Sequence, residues 1–489
     1  MPSKLSTSSS LPQAIFQHLA QNPKRIIIID HTGGKRRTLN AAQLLAIGYT
    51  LGQAWKKALP DGHVAVVLPQ GIAALATHVG LWFAGKVPVN LNPTLPAPLF
   101  KSCWEKLGCE TLITALPVQE RFPQVPWPEK TRDIQKDISQ LSRLGLGFRW
   151  GMAALGFSKW MDQKWIASPD PDDEATILFT SGSEKDPKGV LLSHRNLLAN
   201  VDQIGDCGVF PDQCRVMASL PIFHSFGFTT TLLYSLLEPI TIVTGPSPLD
   251  VKAIAQCIEE EEVAIHLGTP TFYRPYIKSI PPEKLKSLIG VVSGAEKTPQ
   301  GFADTWENQF GSPYLEGYGI TETAPVVAVN LPDPKNNRRG SVGRLMKGME
   351  LRTVCPDTGK ILREGERGLV ELKGPNIFKG YLKDPDSTAK ALTPDGYFRT
   401  NDIGWRDPDG FIFIEGRLMR FSKIAGEMIS HVAIENALSK AYHLNGDDVP
   451  WIIVGRPDPF KGEQLVLLTK REVDMEELRQ RLLKEGLSN

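Results

Sequence analysis

Residues Thr180 to Gly189 read Thr-Ser-Gly-Ser-Glu-Lys-Asp-Pro-Lys-Gly. They follow Ala175-Thr176-Ile177-Leu178-Phe179, an apolar run whose length and composition predict a buried strand. After them come Val190-Leu191-Leu192, a second short strand. Ser193 then serves as a helix N-cap, with Leu197, Leu198, Val201 and Ile204 on one helical face. A small loop carrying hydroxyls, glycine and lysines therefore joins two strands. Backbone N–H groups, hydroxyl donors and a cation are what a polyphosphate needs. It is not a Walker loop, because the residue five after Gly182 is Pro187 rather than glycine. Composition alone leaves an ordinary surface turn open as the alternative.

Working outward, short Val/Ile/Leu runs alternate with helical patterns through the first two-thirds of the chain. The strand-like runs are 64–68, 111–113, 240–243 and 288–292, with helical segments at 249–262 and 299–310. Such alternation predicts α/β layers with largely parallel sheets. From about Gly340, glycine, proline and charge punctuate short runs such as 368–372 and 410–414, which predicts a small antiparallel β region. Beyond Gly416, a helix (432–442), two strands (451–454 and 464–468) and a helix (475–484) predict a compact α+β unit. The expected domains are an α/β domain over 1–418, β-rich from about 340, and a small mobile α+β domain over 419–489. The proline-rich, charged segment 122–136 reads as a surface excursion.

The 489 residues allow two or three domains. A net charge of +1, with no dominating basic block, argues against nucleic acid as a partner. Six cysteines without a Cys-x-x-Cys pair predict a reducing compartment and no zinc site. The polar start, Met1 to Ser10, lacks the apolar core of a secretory signal. The most apolar stretch, Gly71 to Val87, carries His78 and Lys86 and is short for a membrane span, so a buried helix is expected there. The reading is a cytoplasmic protein with at most peripheral membrane contact.

Three further stretches follow in order: Tyr314-Leu315-Glu316-Gly317-Tyr318-Gly319-Ile320-Thr321-Glu322-Thr323, Gly396-Tyr397-Phe398-Arg399-Thr400-Asn401-Asp402, and Gly416-Arg417 leading to Lys423-Ile424-Ala425-Gly426-Glu427. Together with the 180–189 loop they resemble the four signatures of the adenylate-forming (AMP-binding) superfamily. That family includes acyl-CoA synthetases, acyl-carrier-protein synthetases and luciferases. The resemblance implies a two-step reaction. A carboxylate attacks the α-phosphate of ATP, giving an acyl adenylate and pyrophosphate, and a phosphopantetheine thiol then displaces AMP.

The resemblance also implies residue roles. Thr180, Ser181, Gly182, Ser183 and Lys188 would hold the β- and γ-phosphates, and Glu322 would ligate Mg²⁺. Tyr318 would stack on adenine, with Gly317, Gly319 and Thr321 beside it and Gly294-Ala295-Glu296 forming the opposite wall. Asp402 would accept both ribose hydroxyls, and Arg417 would reach the ribose or phosphate. His224, in Leu220-Pro221-Ile222-Phe223-His224-Ser225-Phe226-Gly227, would gate or orient the acyl group, and Gly426 would line the pantetheine path. Thr180, Lys188, His224 and Glu322 are the implied catalytic set. Taken singly, Tyr318, Gly319, Asp402 and Arg417 read as a core tyrosine, a turn glycine and exposed ions; order and spacing make them a set.

Four departures from the family pattern stand out. Glu184 and Lys185 replace threonine and glycine. Asn401 replaces a glycine, and asparagine tolerates positive φ. Arg420 occupies the hinge position, where aspartate or lysine is common; its context is most similar to the synthetase half of 2-acylglycerophosphoethanolamine acyltransferases. The family's closing Gly-Lys turn is not reached before Asn489. The expectation for the sequence as given is therefore a partial small domain and slow adenylation. The expected function is ATP-dependent activation of a fatty acid and its transfer to a thiol, with acyl carrier protein as favoured acceptor. Coenzyme A is the alternative acceptor, and a non-catalytic nucleotide- or acyl-binding protein the alternative class.

Overall fold

The computed structural model describes residues 10–156, 165–180, 187–424, 427–442, 450–458, 462–470 and 472–484. Packing divides the chain into two units: residues up to Glu350 with Lys373–Gly396, and Leu351–Leu372 with the residues from Tyr397 onward.

The first unit holds two large sheets. In the nine-stranded one the order is Arg344–Leu345, Val326–Val329, Tyr314–Gly319, Gly290–Ser293, Ile265–Gly268, Arg215–Met217, Thr241–Thr244, Ile26–Asp30 and Arg37–Asn40. Pairing is parallel from Tyr314–Gly319 to Ile26–Asp30 and antiparallel at both margins. The seven-stranded sheet runs Gly380–Tyr381, Gly189–Ser193, Glu174–Phe179, Val87–Asn90, His63–Val66, Leu112–Thr114 and Thr131–Asp133. It is parallel except where Gly189–Ser193 pairs with its two neighbours. The fold is thus the expected α/β arrangement of mixed sheets. Parallel strands need both faces covered, which explains their unbroken Val/Ile/Leu runs.

The helix predicted in the most apolar stretch spans Ile72–Phe83 and is nearly all buried. It packs on the Ala41–Ala58 helix through glycines that admit no side chain. An added Cβ on Gly48 would lie 2.4 Å from Val79 Cγ1, and one on Gly80 would lie 2.9 Å from Leu51 Cβ. One expectation is corrected. Segment 122–136 is not wholly a surface excursion, because Thr131–Asp133 extends the sheet beside Leu112–Thr114 and Val125 and Ile134 are buried. Proline and charge hid a single edge strand.

In the second unit, Gly368–Lys373, Phe398–Arg406 and Ile412–Arg417 pair antiparallel, as the punctuated sequence predicted. A second four-stranded sheet runs Glu427–Ser430, Phe421–Ile424, Gly462–Thr469 and Trp451–Asp458, with helices His431–Ala441 and Met475–Lys484. The break expected at residue 418 falls between these two sheets, which packing groups in one unit. Among the described residues no helix is long and apolar enough to cross a membrane.

Three core histidines link this packing to pH. His78, His194 and His266 are buried in the first unit. Desolvation lowers His78 and His194 to about 4 and His266 to about 3. The unfolded chain therefore binds protons that the folded one refuses, so stability is full above the ordinary imidazole value and falls as pH drops from about 6.5 toward 4. Each linked proton contributes a slope of about 1.4 kcal/mol per pH unit. Urea midpoints should drop steeply across that window, and less steeply in a His266→Gln variant. Midpoints that stay flat from pH 7 to 4.5 would refute the linkage.

Candidate active site

Thr180 closes the neck of the signature loop by donating its N–H to Lys188 O at 2.9 Å. Ser181, Gly182 and Ser183 lie outside the described residues, as does Gly426. Lys188 reaches back over the sheet edge, its Nζ 5.4 Å from the ring centroid of Tyr381. Tyr381 in turn donates its hydroxyl to Glu322 Oε1 at 2.8 Å. A cation, a phenol and a carboxylate, from three separate stretches of sequence, thus form one row. Tyr381 was missed in the sequence. Its only signal is a Gly-Tyr pair ahead of Lys383-Asp384-Pro385, which resembles any turn before a helix.

The turn carrying Glu322 is held from below by buried polar groups. Asn376 donates to Thr323 O at 2.7 Å, and Thr229 to Ala324 O at 2.8 Å. Asn200 brackets Val326, donating to its carbonyl at 2.8 Å and accepting its N–H at 3.0 Å. The Glu322 carbonyl accepts from Phe378 N at 2.9 Å. Asn200, Thr229, Thr323 and Asn376 are all fully buried. Within the turn Ile320 N pairs with Pro325 O, Thr323 N with Ile320 O and Ala324 N with Thr321 O, and side-chain amides and hydroxyls satisfy groups that these bonds leave over.

His224 enters on the neighbouring turn, where Ser225 Oγ lies 3.3 Å from Thr321 Oγ1. Its ring lies against Phe223, centroid to centroid 4.7 Å, and desolvation holds its pKa below the ordinary imidazole value. Gly227 makes this turn feasible, since a Cβ there would lie 2.5 Å from Pro221 O.

Gly294, Ala295 and Glu296 follow the Gly290–Ser293 strand, which pairs in parallel with Tyr314–Gly319. The two predicted walls therefore leave adjacent strands at their C-terminal ends, where α/β sheets bind ligands. A Cβ on Gly294 would come 3.2 Å from the Phe226 ring. Glu296 Oε2 accepts from Thr271 N at 3.2 Å and Thr271 Oγ1 at 2.7 Å, at the start of the Pro270–Ser279 helix. Gly319 also has a packing reason, because a Cβ there would lie 2.4 Å from Pro325 O.

In the second unit, Asp402 is buried and paired with Arg417, Nε to Oδ1 2.9 Å, directly across the antiparallel ladder. Asn401 adopts φ 59°, the conformation for which asparagine substitutes for glycine. Arg420 is clamped by both oxygens of Glu435 at 2.6 and 2.7 Å.

For a cation, the described residues hold no cluster of three or more His, Cys, Asp or Glu side chains. Glu322 offers hard oxygen donors, one already oriented by Tyr381. A single carboxylate supplemented by substrate phosphates suits Mg²⁺, which keeps waters and seldom uses an all-protein cage.

The AMP-binding enzyme family matches residues 15–382. Long-chain-fatty-acid–CoA ligase of Bacillus subtilis (strain 168) is 27% identical over 453 residues, covering 85% of this chain and 78% of its own length. 4-Coumarate–CoA ligase 1 of Solanum tuberosum is 31% identical over 440 residues, with 86% and 78% covered. ATP-bound MatB from Rhodopseudomonas palustris shares the fold at a TM-score of 0.79 and 23% identity, over 97% of this chain and 92% of that one. O-succinylbenzoate coenzyme A synthetase (MenE) from Bacillus subtilis, solved with ATP and magnesium ion, gives 0.79 and 21%, over 97% and 93%. The chain belongs to the AMP-binding enzyme family, whose members use ATP with Mg²⁺.

Gly319→Ala tests the packing of the Glu322 turn. Forcing a methyl against the Pro325 carbonyl should destabilise the fold by about 1–3 kcal/mol. Gly147→Ala, where an added Cβ meets nothing within 4 Å, serves as control. Urea unfolding of Gly319→Ala at the wild-type midpoint would show that the turn yields freely.

Proposed function

We propose that this chain is an ATP-dependent acid–thiol ligase that adenylates an apolar carboxylic acid and transfers the acyl group to a phosphopantetheine thiol. The observation that carries the reading is the row Lys188–Tyr381–Glu322, set beside the Thr180 loop and the His224 turn. Lys188 is assigned as the cation for the β- and γ-phosphates, with Thr180 bonded to its carbonyl. Phosphoryl chemistry asks little of a protein beyond position and fixed charge, and these residues supply both. Mg²⁺ bound at Glu322 would neutralise phosphate charge. Tyr381, by holding Oε1, leaves Oε2 as the open donor and fixes its direction. Tyr318, with Gly317, Gly319, Thr321, Gly294 and Ala295, is assigned to the adenine, and Asp402 with Arg417 to the ribose. His224 is held neutral by desolvation at neutral pH and is assigned to orienting the acyl group.

Coenzyme A is the acceptor that the relatives' names favour. A carrier-protein thiol is the second reading, favoured by the resemblance of the Arg420–Met428 stretch to carrier-protein synthetases. Pyrophosphate release with a panel of fatty and aromatic acids, followed by competition between the two thiols, tests the activity and the acceptor together. An absence of acid-dependent pyrophosphate release would overturn the ligase reading.

Two substitutions probe the row. Tyr381→Phe should weaken the apparent Mg²⁺ affinity in pyrophosphate release by about 10–100-fold, the usual effect of losing a group that orients a metal ligand. An unchanged Mg²⁺ titration would remove Tyr381 from the site. Lys188→Ala should weaken ATP binding while sparing AMP, which lacks the distal phosphates. Calorimetry giving equal losses for both nucleotides would point to a structural lysine instead.

A further inference from the structure

A cavity of about 340 Å³ lies at the end of the seven-stranded sheet opposite the signature loop. Lys86 and Val87 line it where Val87–Asn90 begins, and Asp173 and Glu174 where Glu174–Phe179 begins. Thr180 follows the far end of that second strand, about 20 Å away at about 3.3 Å per residue. His194 enters from the start of the His194–Cys207 helix, and Lys379 from the residue before Gly380–Tyr381. The nucleotide chemistry proposed above uses none of these side chains.

Half of the lining is already partnered, and what is left over describes a ligand. Lys86 Nζ is held by Asp61 Oδ1 at 2.5 Å, and Glu174 Oε2 by His63 Nε2 at 2.9 Å. Trp82 Nε1 donates to Ala175 O at 3.0 Å, so its indole offers the cavity carbon surface. Lys379 Nζ donates at 2.5 Å to a neutral acceptor, the Asp172 carbonyl, while the Asp172 carboxylate is taken by Arg195 at 2.7 and 3.0 Å. Asp173 Oδ2 accepts the Asp170 N–H at 3.0 Å, again a neutral partner. Lys379 and Asp173 thus bring opposite charges to the lining that no ion pair among the described residues holds. His194 is 3% exposed, and its Nδ1 has no partner among the described residues. Desolvation lowers its pKa to about 4, so the ring is neutral at pH 7 and one nitrogen keeps a lone pair. Buried polar atoms are almost always bonded, so an unpartnered one at a cavity wall calls for a donor from a ligand or water.

We propose that this cavity binds a small zwitterion with an apolar side chain, the build of an apolar α-amino acid. Its carboxylate meets Lys379, its ammonium group meets Asp173 and the His194 ring, and its side chain lies on Trp82 and Val87. The volume is near the lower limit of ligand sites, about 300 Å³, and suits a molecule of that size. One cation and one anion in the wall also select against ligands that carry a single charge, which leave the other unpaired.

The test is calorimetry of the full chain, without ATP, against L-leucine, L-methionine and L-phenylalanine. Isocaproate and isoamylamine, each lacking one of leucine's charges, serve as single-charge probes. One or more of the amino acids should bind about tenfold tighter than either probe, as expected for one charged hydrogen bond. Lys379→Met and His194→Phe should each weaken that binding about tenfold. Lys379 is exposed, so the urea midpoint of Lys379→Met should stay at the wild-type value and separate lost binding from lost folding. Lys188→Ala should bind the amino acid as the wild type does, which makes failure here distinct from failure of the ligase reading. No binding of any of the three amino acids would overturn the proposal and leave the cavity to water. Equal binding of isocaproate or isoamylamine would overturn the zwitterion assignment. Binding lost in Lys188→Ala but kept in Lys379→Met would place the ligand in the nucleotide site and overturn it as well.

Discussion

The geometry of the candidate site depends on one constraint: the turn from Ile320 to Val326 closes a few short backbone bonds of its own, and the polar groups these leave over must find partners elsewhere. Buried Asn200, Thr229 and Asn376 meet that requirement. Each comes from a different stretch of chain, so the turn ties together the helix His194–Cys207, the segment Phe228–Leu233 and the loop around Asn376 that precedes the strand Gly380–Tyr381. Leaving a buried carbonyl or N–H unpaired costs about 1–3 kcal/mol, which is why amides rather than apolar residues fill this layer. Glu322 inherits its direction from this scaffold.

The same layer joins the two sheets of the first unit. Gly380–Tyr381 adds to the seven-stranded sheet, while its tyrosine hydroxyl bonds a carboxylate on a turn of the nine-stranded sheet. A ligand placed at the Glu322 turn therefore sits where two rigid elements meet, with little reorganisation required when charge develops. Close packing sets the remaining positions. Gly227 and Gly319 bring backbone against backbone, and Gly294 accommodates the Phe226 ring. Gly294 and Gly319 read first as nucleotide-facing residues, and at Gly319 the structure supplies an internal reason as well.

Much of this was legible in the sequence. The alternation of apolar runs with amphipathic stretches gave the α/β class, because side-chain period and burial are properties of consecutive residues. The order of four motifs gave the family, and Asn401 was read correctly as a residue able to hold positive φ. Tyr381, by contrast, was invisible: it stands 59 residues from Glu322 and 193 from Lys188, and nothing local distinguishes it. The bond between Glu296 and Thr271 and the edge strand at Thr131–Asp133 were equally hidden, since each depends on a partner brought close only by folding. The sequence by itself determined which residue types were available at which turns. Tertiary structure decided which of them meet, because hydrogen bonds are short-ranged and these partners are distant along the chain.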